Sequence, residues 1–428
     1  MGTKPNHTGA GGTSVCSECS VKAAGLCIAD RNRAPPVGFI LWILALDVLG
    51  MGLAMPVLPT LIAELATVPA QQVSLVLGAA IAAYSAMQFL NAPMLGALSD
   101  RYGRRVVLLV ALAGMAASNW MIALAGGLVS LLVGRALGGA SAANIATVMA
   151  YIADISDGER RTHLYGSAGS VIAVGLVVGP VAGGWLASIS PHLPFIVAGA
   201  LAALNLLYGW FYLPESLRQE NRRPFEWRRA NPVGSLYALF RNGSMRPYLL
   251  TSICTWFAYG VFQSCFVLAN QVRYGWDVVD ASWALAALAL GMALSQRYLV
   301  RRLTARFSNR WIISIGYGCC SVAYLCYFAA SSPWLTYVGI AAQALGLVAE
   351  PAMRSELSRC ATERHHGELQ GGLTSMLSLV GAIAPLLGSY TLTVATGGTG
   401  NPATVGWPFV IGVAMYVLAI GGLWCRKN

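Results

Sequence analysis

Two ionisable side chains of this sequence lie deep inside long apolar segments. Asp47 lies in the apolar segment 37–62, and Arg135 lies in the apolar segment 128–151. A carboxylate in a hydrocarbon layer costs several kcal/mol unless it is protonated, paired or hydrated. We therefore interpret Asp47 as a proton carrier, and the alternative is a static polar anchor for helix packing. Arg135 stays charged, so it would favour ionisation of a nearby acid or hold a substrate anion, unless it forms a fixed structural pair.

Other polar groups in apolar segments have two possible roles each. Glu350 and Arg354 stand four residues apart, in the order that favours an ion pair on a helix. We interpret them first as a structural pair, with Glu350 as a second proton site as the alternative. Four amide side chains would form either interhelical hydrogen bonds or substrate contacts, and these are Gln88, Asn91, Asn119 and Asn144.

The elements that carry these residues must cross an apolar environment. Of the 428 residues, 56% are hydrophobic and only 11% are charged, whereas an ordinary soluble domain has about 25% charged residues. A helix of about 20 apolar residues crosses a bilayer core. The sequence therefore predicts an all-α membrane protein with twelve transmembrane helices, called spans 1 to 12 here: 37–62, 73–95, 106–126, 128–151, 164–187, 195–213, 248–270, 281–298, 311–330, 334–356, 369–395 and 408–424.

The positive charges predict the orientation and the domains. All but two of the 28 Lys and Arg residues lie in tails and alternate loops on one side of the predicted membrane. Positive residues stay inside, so we expect both termini in the cytoplasm and the chain in the inner cell membrane. The net charge of +11 then reflects orientation, and we expect no nucleic-acid partner. The predicted domains are a cytoplasmic tail (1–36), an N-terminal six-helix half (37–213), a cytoplasmic linker (214–247) and a C-terminal six-helix half (248–428).

The N-terminal tail contains Cys16, Cys19 and Cys27 together with His7. One C-x-x-C pair without a properly spaced second pair is a weak sign of a metal site. We therefore predict a disordered tail, no metal site and no cofactor. The five histidines all lie outside the apolar segments, so no nucleophile, base and metal ligands converge there, as a membrane-embedded enzyme would require.

The sequence repeats itself at an offset of 205 residues. Residues 96–105 read GALSDRYGRR, and residues 301–310 read RRLTARFSNR. Duplicated halves are typical of alternating-access transporters, which bind substrate between the halves near the bilayer midplane. The ionisable positions break this symmetry, because Asp47 aligns with Ser252. We therefore expect the proton-coupling residues in the N-terminal half.

The loop after span 2 has the pattern G-x-x-S-D-R-x-G-R-R. Its glycines would allow a turn and a close helix approach, while Asp100 would accept a neighbouring arginine and cap the next helix. We expect a latch between the two halves that breaks when the transporter opens inward; the alternative is that the arginines only set topology. The residues of this gating loop are Gly96, Ser99, Asp100, Arg101, Gly103, Arg104 and Arg105.

Span 5 combines a proline with small residues that are mostly four positions apart. Small residues let helices pack closely, and a proline permits a bend. We expect a tight, bendable helix at the interface between the halves, built on Gly175, Gly179, Pro180, Gly183 and Gly184.

Taken with these motifs, the chain resembles the major facilitator superfamily. Residues 96–105 are similar to the signature loop of that family, and residues 175–184 are similar to the signature of its drug/proton antiporters. The stretches 46–61, 273–276 and 367–376 resemble the tetracycline/proton antiporters more closely. The likeness spans most of the chain after the tail. It breaks at the family's third-helix acid, ninth-helix acid and eighth-helix histidine, where this chain has Asn119, Cys320 and Met292.

The resemblance implies a proton-coupled antiporter that exports small amphipathic compounds by alternating access. Drug-like compounds are the first expected class of substrate, and tetracycline-type compounds belong to that class. The expected partners are the substrate, protons and the lipid bilayer, and the expected state is a monomer driven by the proton gradient. The alternatives are an exporter of an endogenous metabolite or siderophore and, ranked lower, a transport-dead sensor or a membrane-embedded enzyme.

Overall fold

Long apolar segments in a membrane form helices because their backbone groups must be hydrogen-bonded internally. The computed structural model describes residues 37–66, 72–142, 144–217, 219–222, 224–225, 231–241, 243–360, 366–396 and 404–424, and every regular element in those ranges is helical. Among them, eleven helices are long and apolar enough to cross a membrane, and a bent pair adds a twelfth span. The predicted all-α, twelve-span fold is confirmed. The cysteines of the tail lie outside the described residues.

The helices of the N-terminal half are, in chain order, Val37–Ala54 with Leu58–Leu65 (span 1), Val73–Tyr102 (span 2), Arg104–Ala123 (span 3), Leu128–Ala140 with Asn144–Ile155 (span 4), Gly158–Ile189 (span 5) and Leu193–Tyr212 (span 6). A short helix, Pro232–Arg241, lies in the linker. The helices of the C-terminal half are Arg246–Tyr274 (span 7), Val278–Leu294 continuing to Thr304 (span 8), Asn309–Ala329 (span 9), Pro333–Gly346 with Ala349–Cys360 (span 10), His366–Thr396 (span 11) and Trp407–Trp424 (span 12).

Three of the spans are broken, and each of them carries an ionisable residue considered above. Span 1, with Asp47, bends by 48° between its two helices. Pro56 lies at that bend and cannot donate a backbone hydrogen bond, so it interrupts the helix. Span 4 carries Arg135 ahead of its break, and span 10 carries Glu350 just after its break. Discontinuous helices of this kind expose backbone groups near the substrate and ion sites of transporters.

The two halves repeat the same packing scheme. In the N-terminal half, span 1 packs against spans 5 and 6, and span 3 packs against spans 4 and 6. In the C-terminal half, span 7 packs against spans 11 and 12, and span 9 packs against spans 10 and 12. Each pair in one half therefore has a counterpart six spans later. This is the pseudo-symmetry that the sequence repeat predicts.

The interiors of the two halves differ in the side chains that fill them. The C-terminal half buries a group of aromatic rings, in which the Phe262 and Phe266 centroids are 4.6 Å apart and Tyr324 and Tyr327 pack nearby. The N-terminal half buries mainly aliphatic side chains around span 1. Its helices also approach one another through glycine backbones. Asp47 and Arg135 therefore lie in a half where glycines bring helix backbones into contact.

The halves touch along two helix pairs, span 2 with span 11 and span 5 with span 8. The hydroxyl oxygens of Ser74 and Thr393 lie 2.6 Å apart at one end of the first pair. Toward the opposite ends of those helices, Gly96 and Gly371 have open space where a side chain would stand. The hydrogen bond between Ser74 and Thr393 thus joins the halves at the end of this pair that is far from the gating loop.

Candidate functional site

Arg135 lies against span 2, in contact with an aromatic ring. Its guanidinium carbon is 4.6 Å from the centre of the Tyr84 ring, and its Nε donates to the Ala80 carbonyl at 3.5 Å. A guanidinium over a ring face is attracted by the electrons of the ring, most strongly where water is excluded. The charged end of Arg135 therefore rests on neutral groups of span 2.

Asp47 belongs to the same neighbourhood. Asp47 is only 7% exposed. The charges of Asp47 and Arg135 both act on the phenol of Tyr84. Spans 2 and 4 thus bring a ring and a cation into contact, and span 1 carries a buried acid. Tyr84 was not among the residues singled out from the sequence. The sequence signal for Tyr84 was its position in an apolar segment, one helical turn before Gln88.

Gln88 connects three helices at the boundary between the halves. Its amide nitrogen donates to the Ala142 carbonyl at 3.4 Å, where span 4 is broken, and its amide oxygen accepts from Ser378 of span 11 at 3.2 Å. Of its two possible roles, the interhelical hydrogen bond is therefore present. Through these two bonds, Gln88 links the break of span 4, which follows the helix of Arg135, to span 11 of the C-terminal half.

The other amides behave differently. Asn91 donates to the Met87 carbonyl at 2.9 Å, and Asn119 donates to the Met115 carbonyl at 3.0 Å. Both bonds stay within one helix, four residues back. Each amide oxygen is then left to accept a hydrogen bond from another group. The side chain of Asn144 lies outside the described residues.

Glu350 and Arg354 form the ion pair that their spacing predicts, with Nε and Oε1 3.1 Å apart. The Glu350 side chain is 28% exposed and that of Arg354 is 66% exposed, so water screens the pair and its stabilisation is small. The Glu350 charge also acts on the buried Tyr317 of span 9. The carboxylate therefore lies between an accessible cation and the interior of the C-terminal half.

In the gating loop, Arg104 makes the central contacts. Its guanidinium lies 2.7 Å from Asp100, 3.1 Å from Asp154 and 2.9 Å from Ser99. Asp100 thus accepts a neighbouring arginine, as the sequence predicts. Asp154, at the end of span 4, was not singled out there. These bonds run within the N-terminal half.

The start of span 3 is capped by the linker, which corrects the role expected of Asp100. Glu215 accepts from the backbone N–H groups of Arg104 at 2.8 Å and Arg105 at 3.3 Å. Gly103 has φ +105°, and a Cβ there would collide with the Glu215 carboxylate. A glycine is therefore required at this turn. The sequence signal was an acid directly after the apolar run of span 6.

Three further residues of the gating loop have different surroundings. Gly96 lies inside span 2 with open space beside it, so the expectation of a turn or close approach at this glycine is wrong for this conformation. The guanidinium carbon of Arg101 lies 5.1 Å from the Tyr102 ring centre. Arg105 donates to the Trp210 carbonyl at 2.6 Å, which ties the start of span 3 to the end of span 6.

The small residues of span 5 pack against spans 1 and 8. A Cβ added at Gly179 would lie 2.6 Å from the Cα of Gly52, and Pro180 also packs there. Gly175 and Gly183 meet span 1 on either side of that crossing, whereas Gly184 meets Ser282 of span 8. One face of span 5 therefore fixes the helix that carries Asp47, and a neighbouring position contacts the other half.

Within the described ranges, no group of three or more His, Cys, Asp or Glu side chains is arranged to hold a metal ion. Cys320 is buried and packs near Gly346 of span 10. The hydrogen bonds and ion pairs described above are made by amide groups, hydroxyl groups, arginine side chains and single carboxylates.

Comparison with known proteins gives one consistent family. The sequence profile described as Major Facilitator Superfamily matches residues 40–301 and 266–428. The class C tetracycline resistance protein of Escherichia coli is 36% identical, over 91% of this chain and 97% of that protein. The class D protein of Salmonella ordonez is 32% identical, over 90% and 95% of the two chains.

Solved structures of transporters share the fold. The human organic anion transporter MFSD10 (TETRAN) superimposes with a TM-score of 0.69 at 22% identity, over 90% of this chain and 98% of that one. The nucleoside transporter NupG, as its D323A mutant, gives 0.73 at 13% identity, over 91% and 99%. At such identities the likeness concerns the arrangement of the helices alone.

Proposed function

Because the chain belongs to the Major Facilitator Superfamily, we propose that it is a proton-coupled antiporter that exports small amphipathic compounds by alternating access. Family membership already makes it a multi-pass membrane transporter. The observation that carries the proposal is the contact of the Arg135 guanidinium with the Tyr84 ring in the N-terminal half, which also contains the buried acid Asp47.

Asp47 is the proposed proton site. An acid held away from water binds a proton more readily and releases it when water or a cation comes near. Arg135 supplies that cation from span 4, and Gln88 connects the break in span 4 to span 11 of the other half. A movement of the halves would therefore change the surroundings of Asp47. Glu350, beside Arg354 in the C-terminal half, is the proposed second proton site.

The gating loop is the proposed latch. In this conformation its central arginine, Arg104, is held by Asp100 and Asp154. We propose that the loop engages the C-terminal half when the halves close on this side, so that these bonds rearrange in each cycle. The small residues of span 5 would allow the accompanying movement against span 1. The proposed domains remain the tail, two halves and linker given above, with both termini in the cytoplasm.

The proposed cargo is an amphipathic, drug-like molecule. The curated relatives are tetracycline resistance proteins, which makes tetracycline-type compounds candidates here. Asn119 and Cys320 bring no negative charge, so a metal-chelated, cationic cargo would lack partners. Arg135 would instead attract a carboxylate or other anion. We therefore propose neutral and anionic amphiphiles as the better substrates, bound by a monomer in the inner membrane without a cofactor.

A second candidate is an exporter of an endogenous metabolite or siderophore. It is favoured by the uncharged side chains of Asn119 and Cys320, where the resemblance to the tetracycline/proton antiporters implies acids. Both candidates use the same proton-coupling residues. They differ only in the molecule that is exported.

The test is accumulation in a drug-sensitive bacterial host. Cells with the protein, with its Asp47→Asn variant or with empty vector are loaded with tetracycline or with a carboxylated amphiphilic dye. We expect lower accumulation only with the unmodified protein, more clearly for the dye, and equal accumulation after a protonophore is added. Export that persists with the protonophore would contradict proton coupling, and unchanged accumulation of both compounds would contradict drug-like cargo.

A further inference from the structure

A groove of about 450 Å³ runs between spans 1 and 6 of the N-terminal half. We propose that this groove binds one acyl chain of a phospholipid whose headgroup is anionic. The inference goes beyond the proposed export function and does not depend on it, because the lipid is a bound partner of the transporter and not its cargo. Cavities of about 300–1,000 Å³ commonly hold small molecules in proteins, so the groove is large enough for such a chain.

The groove has apolar walls over most of its length and phenol groups at one end. It is lined by Trp42 of span 1 and by Leu204, Leu207, Tyr208, Phe211 and Tyr212 of span 6. From Leu204 to Tyr212, span 6 rises about 12 Å at about 1.5 Å per residue. One leaflet accounts for about 15 Å of the bilayer core, which is half of the roughly 30 Å of the whole core. The length of the groove therefore suits an apolar chain from a single leaflet.

The two helices that form the groove are fixed to each other at two levels. Asn205 is buried, and its amide nitrogen donates to the Ile43 carbonyl at 2.9 Å. Nearer the end of span 6, the Phe39 ring stacks on the Tyr208 ring with centroids 5.1 Å apart, and its centroid lies 5.9 Å from that of Tyr212. These contacts set the spacing of the two helices, so the groove is a preformed feature of this surface.

The position of the groove identifies lipid as its occupant. The halves meet along span 2 with span 11 and along span 5 with span 8, whereas the groove lies on spans 1 and 6. Trp42, Leu204 and Phe211 are 61%, 57% and 72% exposed. In a multi-pass membrane transporter, exposed apolar side chains of this kind lie against lipid tails, which are as apolar as leucine. An acyl chain is therefore the occupant that the surroundings supply.

The polar end of the groove indicates the headgroup. Tyr208 and Tyr212 bring their hydroxyl groups there, and tyrosines favour the level of the headgroups in a membrane. The guanidinium of Arg105 donates to the Trp210 carbonyl at 2.6 Å in an exposed position, so a cation lies at the same end of span 6. Arginine binds phosphate and other anions through several N–H groups. We therefore expect a headgroup with a net negative charge.

The experiment labels the full-length protein in proteoliposomes with phosphatidylglycerol that carries a photoactivatable group on its acyl chain. Labelled peptides are mapped by mass spectrometry. The internal reference is the surface of span 12 around Leu418, which is 58% exposed and belongs to the span that corresponds to span 6 in the other half. We expect the groove residues of spans 1 and 6 to take up roughly fivefold more label than this reference. Phosphatidylcholine with the same labelled chain should give a much smaller excess.

Two variants test the place of binding. Leu207→Trp fills the groove and should abolish the excess label, whereas Leu418→Trp is the matched control and should keep it. Thermal unfolding in detergent gives a second measurement, because a ligand that binds only the folded protein stabilises it. Added phosphatidylglycerol should raise the melting temperature of the unmodified protein and of the control, but not that of Leu207→Trp. If Leu207→Trp fails to fold, Leu204→Phe takes its place.

Several outcomes would overturn the inference. They are equal labelling of spans 6 and 12, equal labelling by the two phospholipids, and excess label that persists in Leu207→Trp. A photoactivatable amino acid in the place of Leu204 that cross-links to a second copy or to residues 1–36, instead of to lipid, would show that protein covers the groove and would also overturn it. None of these measurements records transport, so their failure leaves the proposed export function standing, and loss of proton coupling leaves the lipid site standing.

Discussion

Ser74 and Thr393 place their hydroxyl oxygens 2.6 Å apart, which joins span 2 of one half to span 11 of the other. Ser74 also donates to the Ser389 carbonyl at 3.2 Å. These bonds lie where the halves are closed. In an alternating-access cycle they must break whenever the protein opens on that side.

A cross-link at this contact should stop the cycle. Side chains this close suit a disulfide, whose Cβ atoms lie about 3.5–4.5 Å apart. We expect the double variant Ser74→Cys, Thr393→Cys to lose transport in proteoliposomes after oxidation and to regain it after reduction. The two single variants, oxidised in the same way, should retain transport. Transport at the unmodified rate by fully cross-linked protein would contradict alternating access at this interface.

Asp47→Asn should abolish pH-driven transport, because the amide is similar in shape but carries no exchangeable carboxyl proton. Uptake of tetracycline or a carboxylated dye should fall roughly tenfold or more in proteoliposomes. The variant should remain folded in the membrane, since burial of a neutral amide removes the cost of a buried charge. Wild-type rates in this variant would refute the proton role.

Asp100→Asn should slow turnover much more than it weakens substrate binding. The carboxylate holds Arg104 at 2.7 Å in the gating loop, far along span 2 from Gln88. Dye binding to purified protein and dye transport in proteoliposomes measure the two effects separately. A collapse of affinity with unchanged turnover of bound dye would mean that the loop is not a gate.

The two glycines of the gating loop should respond oppositely to alanine. Gly103→Ala places a Cβ at φ +105° against the Glu215 carboxylate, and we expect it to destabilise the protein by about 1–3 kcal/mol. Gly96→Ala fills open space inside a helix, where alanine is favoured by about 0.5–1 kcal/mol. Thermal unfolding of both variants in detergent measures this. Equal melting temperatures would contradict the Glu215 contact.

Asn119→Asp should move selectivity toward cationic or magnesium-chelated drugs. The change introduces the negative charge that the chain lacks in span 3, and it gives up the amide bond to the Met115 carbonyl. We expect weak tetracycline resistance from the unmodified protein and stronger resistance from the variant, measured as the inhibitory drug concentration for a sensitive host. Strong magnesium-dependent resistance from the unmodified protein would refute the proposed preference for neutral and anionic cargo.

The amino-acid sequence by itself determined the twelve spans and the duplicated halves. It also placed Asp47 and Arg135 in apolar segments and paired Glu350 with Arg354. These features depend on local quantities, namely hydropathy over about twenty residues and a spacing of four along one helix.

Only the tertiary structure decided which groups meet across helices. Arg135 rests on Tyr84, about fifty residues earlier in the chain, and span 3 is capped by Glu215, more than a hundred residues later. A Cβ at Gly96 would have open space around it, whereas a Cβ at Gly103 would collide with the Glu215 carboxylate, although both glycines belong to one motif. Such partners depend on how helices rotate and cross, which packing between distant segments sets. The local sequence indicates that Tyr84 and Glu215 stand at notable positions, but it does not indicate which residues they meet.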